Sequence, residues 1–326
     1  MFRIVRCLSL TAASALCSPA LAVAIDAQSI NSSVVASLPV EPPTEQQIEP
    51  DPAVVHVQVL LDRAGSSPGV IDGYYGDNLT KAIAGFEALQ GLAVDGKLDQ
   101  DVLARLVDDV PSVQAYEISE EDGAEIVKDI PKDYAEQAKM KHLGYTSVAE
   151  KLAERFHMHI DLIKSLNPTA TFKPGETVAV AIPNANGTGL VKQILVHRKT
   201  AQVFALAEDG SLLTVYPATI GSDGSPSPTG KHEVKGVSRM PTYTYNPKIN
   251  FQQGDNKTIL ELPSGPNGPV GTVWIDLTEP TYGIHGTPEP ELIGKVGSHG
   301  CVRLANWDVE ELAGMVKPGV VVEFVD

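Results

Sequence analysis

The chain has 326 residues, room for two or three domains of roughly 100–200 residues each, and its 43% hydrophobic and 20% charged residues exclude a multi-span membrane protein. Against 25 Lys and Arg stand 41 Asp and Glu, for a net charge of −16. A surface that acidic repels phosphate backbones and anionic membranes, so no nucleic-acid partner is expected.

Residues 1–24 read as a secretory signal peptide. Arg3 and Arg6 precede an apolar, small-residue run over 7–21, and Ala20-Leu-Ala22 and Ala22-Val-Ala24 offer cleavage sites. That run is too short and too rich in Ala and Ser to span a bilayer, and Leu16 before Cys17 argues against lipidation. Export places the protein in the periplasm or cell envelope. Cys7 and Cys17 leave with the signal, and Cys301 is then the one cysteine in an oxidising compartment. Such a thiol is an accident, half of an intermolecular disulfide, or a working nucleophile.

Residues 25–52 hold five prolines, several acids and no aromatic residue, the composition of a disordered tether. Residues 53–110 show three helical stripes: Val57, Leu60, Leu61 and Ala64; Leu79, Ala82, Ile83, Phe86 and Leu89; Val102, Leu103 and Leu106. Asp77 and Asp99 stand at N-cap positions, and Asp72-Gly73 and Asp95-Gly96 are turns. The runs Gly69-Val-Ile-Asp-Gly-Tyr-Tyr-Gly76 and Phe86-Glu-Ala-Leu-Gln-Gly-Leu-Ala-Val-Asp-Gly96 resemble the three-helix peptidoglycan-binding domain family, which usually has Phe-Gln in place of Phe86-Glu87.

Residues 111–139 are acidic and read as a partly ordered connector. Residues 140–183 follow a βααβ pattern. A capping box at Ser147-Val-Ala-Glu150 opens the first helix, Asn167-Pro168 ends the second, and 175–183 alternates as a closing strand. Tyr145-Thr-Ser147, Leu166-Asn-Pro168, Pro174-Gly175 and Ile182-Pro183 resemble a LysM domain, which implies a grip on glycan containing N-acetylglucosamine. His157 and His159 are given packing or surface roles there.

Residues 190–326 turn β-rich. Strands are expected over 191–197, 202–206, 212–216, 231–234, 273–275 and 320–324, with one helix over 307–316 capped by Asn306. That composition suggests a mainly-β domain, sandwich-like or a half-open barrel. The stretch 238–271, rich in Pro, Gly and Asn, is expected to form a long loop serving as a lid or cleft wall.

The reactive residues concentrate in Tyr282-Gly-Ile-His-Gly-Thr-Pro288 and Ser298-His-Gly-Cys-Val-Arg-Leu304. A thiol attacks as thiolate and needs a proton acceptor, for which histidine is best suited near neutrality. Gly300 before Cys301 lets backbone N–H groups turn toward one point, as an oxyanion hole requires. The two motifs, with twelve residues between His285 and Ser298, resemble the L,D-transpeptidase (YkuD-like) catalytic domain, and Ser225-Pro-Ser-Pro-Thr-Gly230 resembles its upstream turn. The resemblance implies Cys301 as nucleophile, His285 as base, the Gly286 carbonyl as orienter of the imidazole, and His299, Gly300 and Cys301 as backbone donors. It further implies Arg303 as a support for loop or substrate. Ser298 reads as structural, and Tyr282 with Ser298 and Arg303 as the substrate-facing set. No cofactor or metal is implied. A zinc site of His285, His299 and Cys301 is disfavoured by their spacing.

The expected partners are peptidoglycan stem peptides and glycan, with an outer-membrane protein as an alternative acyl acceptor. The expected state is a monomer. A hydrolase using the same Cys301 and His285, and a non-catalytic wall-binding protein, are the rival readings.

Overall fold

The computed structural model describes residues 25–183, 187–222, 224–249 and 251–326, so the signal-peptide reading lies outside the described residues. The segment 25–52 is not a loose tether. It holds a short helix α1 (Ala27–Asn31) and a 3-10 turn (Val35–Ser37). Ile30 is fully buried, and the Asn31 side chain exchanges two hydrogen bonds with the backbone of Val113. Gln47 donates to the Gly73 carbonyl and accepts from Tyr75 N–H. Proline-rich composition hid a segment ordered by a few specific anchors.

The first module contains α2 (Pro52–Arg63), α3 (Asp77–Gln90) and α4 (Gln100–Arg105). Asp99 caps α4 by accepting from Asp101 and Val102 N–H, whereas the N-cap of α3 is Gly76 and Asp77 sits inside the first turn. Glu87 is buried and its carboxylate accepts from Asp95 and Gly96 N–H at 2.8 Å each. The residue that departs from the usual Phe-Gln thus closes the second Asp-Gly turn.

The second module opens earlier than expected. No strand falls within 140–147. The first strand is β1 (Val113–Glu117), inside the stretch read as an acidic connector, and after the short helix α5 (Tyr134–Gln137) come α6 (Val148–Arg155), α7 (Ile160–Leu166) and β2 (Thr177–Ala181). Strands β1 and β2 pair antiparallel from Val113↔Ala181 to Glu117↔Thr177. Acidity misled here because Asp122 is buried, accepts from Tyr116 and Ser119, and pairs with Arg155 at 2.5 Å. His157 takes a left-handed turn (φ +55°), stacks on Trp307 and faces Asp62 at 3.2 Å.

The third module is built on β3 (Gln193–His197), β4 (Gln202–Leu206), β5 (Leu212–Pro217), β6 (Thr219–Ile220), β7 (Gly230–Arg239), β8 (Tyr243–Tyr245), β9 (Leu260–Leu262), β10 (Val273–Leu277), β11 (Gly283–His285), β12 (Val302–Arg303), α8 (Asn306–Met315) and β13 (Val321–Val325). Nine of these strands form one sheet in the order β5-β4-β3-β13-β7-β10-β11-β12-β6. Its two edge strands are separated by the single residue Ala218, so the edges must lie side by side and the sheet curls almost into a barrel. Of the two expected forms, sandwich-like and half-open barrel, the single continuous sheet takes the second. The long strand β7 joins its halves, pairing with β13 over Gly230–Glu233 and with β10 beyond. Inside sit Ile194, Val203, Val273, Ile275, Ile284, Val302 and Val322, closed by Val309 and Leu312 of α8. The stretch 238–271 is not bare loop, because β8 and β9 form a separate hairpin within it.

The modules are locked together rather than strung on linkers. Ser67 N–H donates to Val215 O and Val215 N–H to Gly65 O, extending the sheet edge into the first module. Ile71 exchanges two backbone bonds with His157 and His159 of the second. No described helix is long and apolar enough to cross a membrane.

Candidate active site

Strands β11 and β12 run parallel with Ile284 opposite Val302 and His285 opposite Arg303. Side chains alternate along a strand, so Ile284 and Val302, both fully buried, point into the core. His285, Arg303 and, two residues before it, Cys301 share the other face. The sequence Gly-Ile-His and Cys-Val-Arg thus carries the site in its period of two. The cleft over this face measures ≈ 290 Å³ and is lined by Tyr282, His285, His299, Cys301 and Arg303 together with residues the sequence did not single out, above all Tyr134, Tyr243, Phe251 and Trp274.

His285 is buried against Trp274, the rings stacked at 5.4 Å and 20°. Its Nδ1 lies 2.7 Å from the Gly286 carbonyl. A carbonyl only accepts, so Nδ1 carries the proton and Nε2 is left as the basic nitrogen. Burial, reinforced by the nearby Arg303 guanidinium, pulls the imidazole down to about 4 against the opposing pull of the Gly286 carbonyl. Burial likewise pushes the Cys301 thiol up, while the Gly283 N–H and Arg303 favour the thiolate. Both shifts favour the neutral forms of a thiol and an imidazole that line the same cleft. The Cys301 Sγ lies 3.8 Å from the Thr281 carbonyl, presented by a residue in a left-handed conformation (φ +72°) that a β-branched side chain rarely adopts.

The loop carrying Cys301 is held by three hydrogen bonds to two serine hydroxyls. Buried Ser298 donates through Oγ to the Cys301 carbonyl at 2.6 Å and accepts from Gly300 N–H at 3.2 Å. Ser227, in the upstream Ser225–Gly230 turn, donates to the Gly300 carbonyl at 2.8 Å. Gly300 needs φ +106°, and a Cβ there would come within 2.7 Å of the Tyr282 ring. Its N–H, expected as an oxyanion donor, is instead engaged by Ser298. Among the described residues, the N–H groups of His299 and Cys301 donate to no protein acceptor. The exposed His299 ring stacks on Phe251 at 4.3 Å. Arg303 has no carboxylate partner among the described residues, which leaves a cation in the cleft for an anionic ligand.

Asn306, expected as the cap of α8, lies inside the helix; the N-cap is Ala305, with no side-chain cap bond. Asn306 is buried and ties loops together. Its Oδ1 accepts from Thr272 and Thr287 N–H at 3.2 Å each, and its Nδ2 donates to Glu154 Oε2 at 2.9 Å. A Cβ on Gly286 would meet Asn306 Oδ1 at 2.1 Å, so glycine there is required by close approach. Glu154 comes from α6 of the second module. Burial pushes its carboxyl up to about 8, so it is mostly protonated at neutral pH. A carboxyl raised from 4.5 stabilises the fold less as pH rises, and between pH 5 and 8 the loss is about 3 kcal/mol. Glu154→Gln mimics the protonated form, and urea denaturation of this variant is expected to lack that share of the wild-type decline. Equal declines would place the charged carboxylate in the folded protein.

With the geometry described, the chain can be compared with known proteins. Residues 191–323 match the family model of the L,D-transpeptidase catalytic domain, and residues 50–106 match that of the "Putative peptidoglycan binding domain". The chain therefore carries an enzyme domain of the L,D-transpeptidase class. Among relatives, "Putative L,D-transpeptidase YkuD" of Bacillus licheniformis is 29% identical over 43% of this chain and 70% of its own, and its namesake in Bacillus subtilis 33% over 36% and 57%. "Probable L,D-transpeptidase YbiS" of Escherichia coli K12 is 29% identical over 56% of this chain and 61% of its own. The chain spans less than two thirds of the last two.

Proposed function

We propose that the protein is an exported peptidoglycan L,D-transpeptidase with Cys301 as nucleophile. The observation that carries this reading is the β11–β12 register, which sets Cys301, His285 and Arg303 on one face while Gly286 fixes the tautomer of the base.

Cys301 Sγ attacks the carbonyl joining the third residue of a tetrapeptide stem to its terminal D-Ala, and His285 Nε2 takes the thiol proton. The N–H groups of His299 and Cys301 receive the developing oxyanion. The C–N bond breaks as His285 returns that proton to the leaving D-Ala amine, and a thioester remains. An acceptor amine attacks it, passes a proton through His285 to the sulfur, and leaves as the new amide. The acceptor is the side-chain amine of a second stem, giving a 3→3 cross-link. The peptidoglycan-binding module and the LysM-like module raise the enzyme's local concentration at an insoluble polymer.

Incubation with purified disaccharide-tetrapeptide tests the reading by product mass. A dimer lighter by one D-Ala is expected. Tripeptide alone would make the protein a hydrolase with the same Cys301 and His285, and no product from stems would turn attention to a protein amine as acceptor.

A further inference from the structure

The hairpin β8–β9 walls the cleft with Tyr243 and, in the loop between its strands, Ile249 and Phe251. It forms a two-stranded sheet of its own and shares no ladder with the nine-stranded sheet. An isolated two-stranded hairpin is marginal in water and needs a partner to bury its apolar face. Here that partner lies outside the matched catalytic stretch, in the segment before α6. Tyr245 and Leu262 are fully buried against Leu143, with Ile130, Tyr134 and Met140 packed around them.

Polar contacts fix the register. Gln253 Oε1 accepts from Tyr134 N–H at 3.2 Å, Gln253 Nε2 donates to Lys132 O at 2.7 Å, and Asn256 Nδ2 donates to Asp133 Oδ1 at 3.0 Å. Leu143 N–H donates to Ser264 O, and Asn267 N–H to Leu143 O. Gly265 is required at that crossing, since a Cβ on it would lie 2.0 Å from the Leu143 carbonyl oxygen. The Tyr134 ring makes edge-to-face contacts with Tyr243 at 6.3 Å, Tyr245 at 5.4 Å and Phe251 at 6.1 Å. Edge-to-face pairs of this kind add specific attraction to the area they bury. The same ring lines the cleft beside Cys301 and Arg303.

We propose that Tyr134 is a specificity-determining residue of the active site, contributed from outside the catalytic domain: it holds the β8–β9 hairpin in place and forms with it the wall that receives the peptide portion of the substrate. The substrate class rests on the transpeptidase reading, while the holding of the hairpin does not. A catalytic domain cut at residue 190 would keep Cys301 and His285 and lose this wall.

The test uses the full chain without its signal, with Tyr134→Ala and Tyr134→Phe read in two ways. Hydrogen exchange over 243–262 is expected to quicken at least tenfold in Tyr134→Ala and return toward wild type in Tyr134→Phe, which keeps the ring contacts. The KM for disaccharide-tetrapeptide is expected to rise more than tenfold in Tyr134→Ala, with a smaller fall in kcat and recovery in Tyr134→Phe. Wild-type exchange in Tyr134→Ala would overturn the proposal, and so would an unmoved KM. If the wild type does not turn over the tetrapeptide, the transpeptidase reading fails and hydrogen exchange alone decides whether Tyr134 holds the wall.

Discussion

Replacing His285 with Gln is expected to lower kcat for cross-linking by about 10³-fold, the usual worth of a positioned general base, while the protein stays folded. Gln removes the basic nitrogen yet fills part of the pocket against Trp274. The wild-type pH profile reports on the same group. A base pulled down to about 4 by burial stays unprotonated through pH 5, so the rate should hold there and fall only as pH drops through about 4. An acid limb at the ordinary histidine value would show that the imidazole is solvated in the working enzyme. Because burial also pushes the Cys301 thiol up, alkylation by iodoacetamide should keep rising above the usual thiol range of about 8.5. An alkylation rate that levels off below pH 7 would reveal a standing thiolate–imidazolium pair.

Asn306→Ala is expected to cost the protein a large share of its stability. Removing this side chain strands the N–H groups of Thr272 and Thr287 and deprives the Glu154 carboxyl of its amide partner, all in a buried site. Stranding buried polar groups costs about 1–3 kcal/mol each, so a total near 4 kcal/mol is expected from denaturant unfolding. Activity should fall as well, because Thr287 follows the Gly286 carbonyl that holds His285. A change below about 1 kcal/mol would mean that water replaces the amide without penalty.

The parts of this account that follow from local chemistry were readable in the chain itself. The expected strands over 202–206, 212–216 and 273–275 overlie β4, β5 and β10, because alternation of buried and exposed side chains is a local property. The Gly-rich Ser298–Cys301 loop and the His-Gly step were visible for the same reason. What stayed hidden depends on distant pairing. Strand β1 was missed because its ladder partner is β2, across three helices, and its neighbours are acidic. Tyr134 gave no signal at all: it sits on a four-residue helix in a charged stretch and acquires a role only when the hairpin folds onto it. Asn306 looked like a cap, since a polar residue beside a helix start usually is one, and its true partners lie in two separate loops and in another module. The packing of the three modules was equally invisible, because backbone bonds such as Ser67 to Val215 leave no side-chain pattern.

The central claim is that Cys301 forms a covalent acyl-enzyme with the stem peptide, and intact-protein mass spectrometry reads it most directly. Signal-free protein incubated with disaccharide-tetrapeptide should gain the mass of the substrate less one D-Ala, mapped to Cys301 by digestion and absent in Cys301→Ala. An adduct that persists in Cys301→Ala, or cross-linking by that variant, would contradict the assignment of the nucleophile and the mechanism built on it.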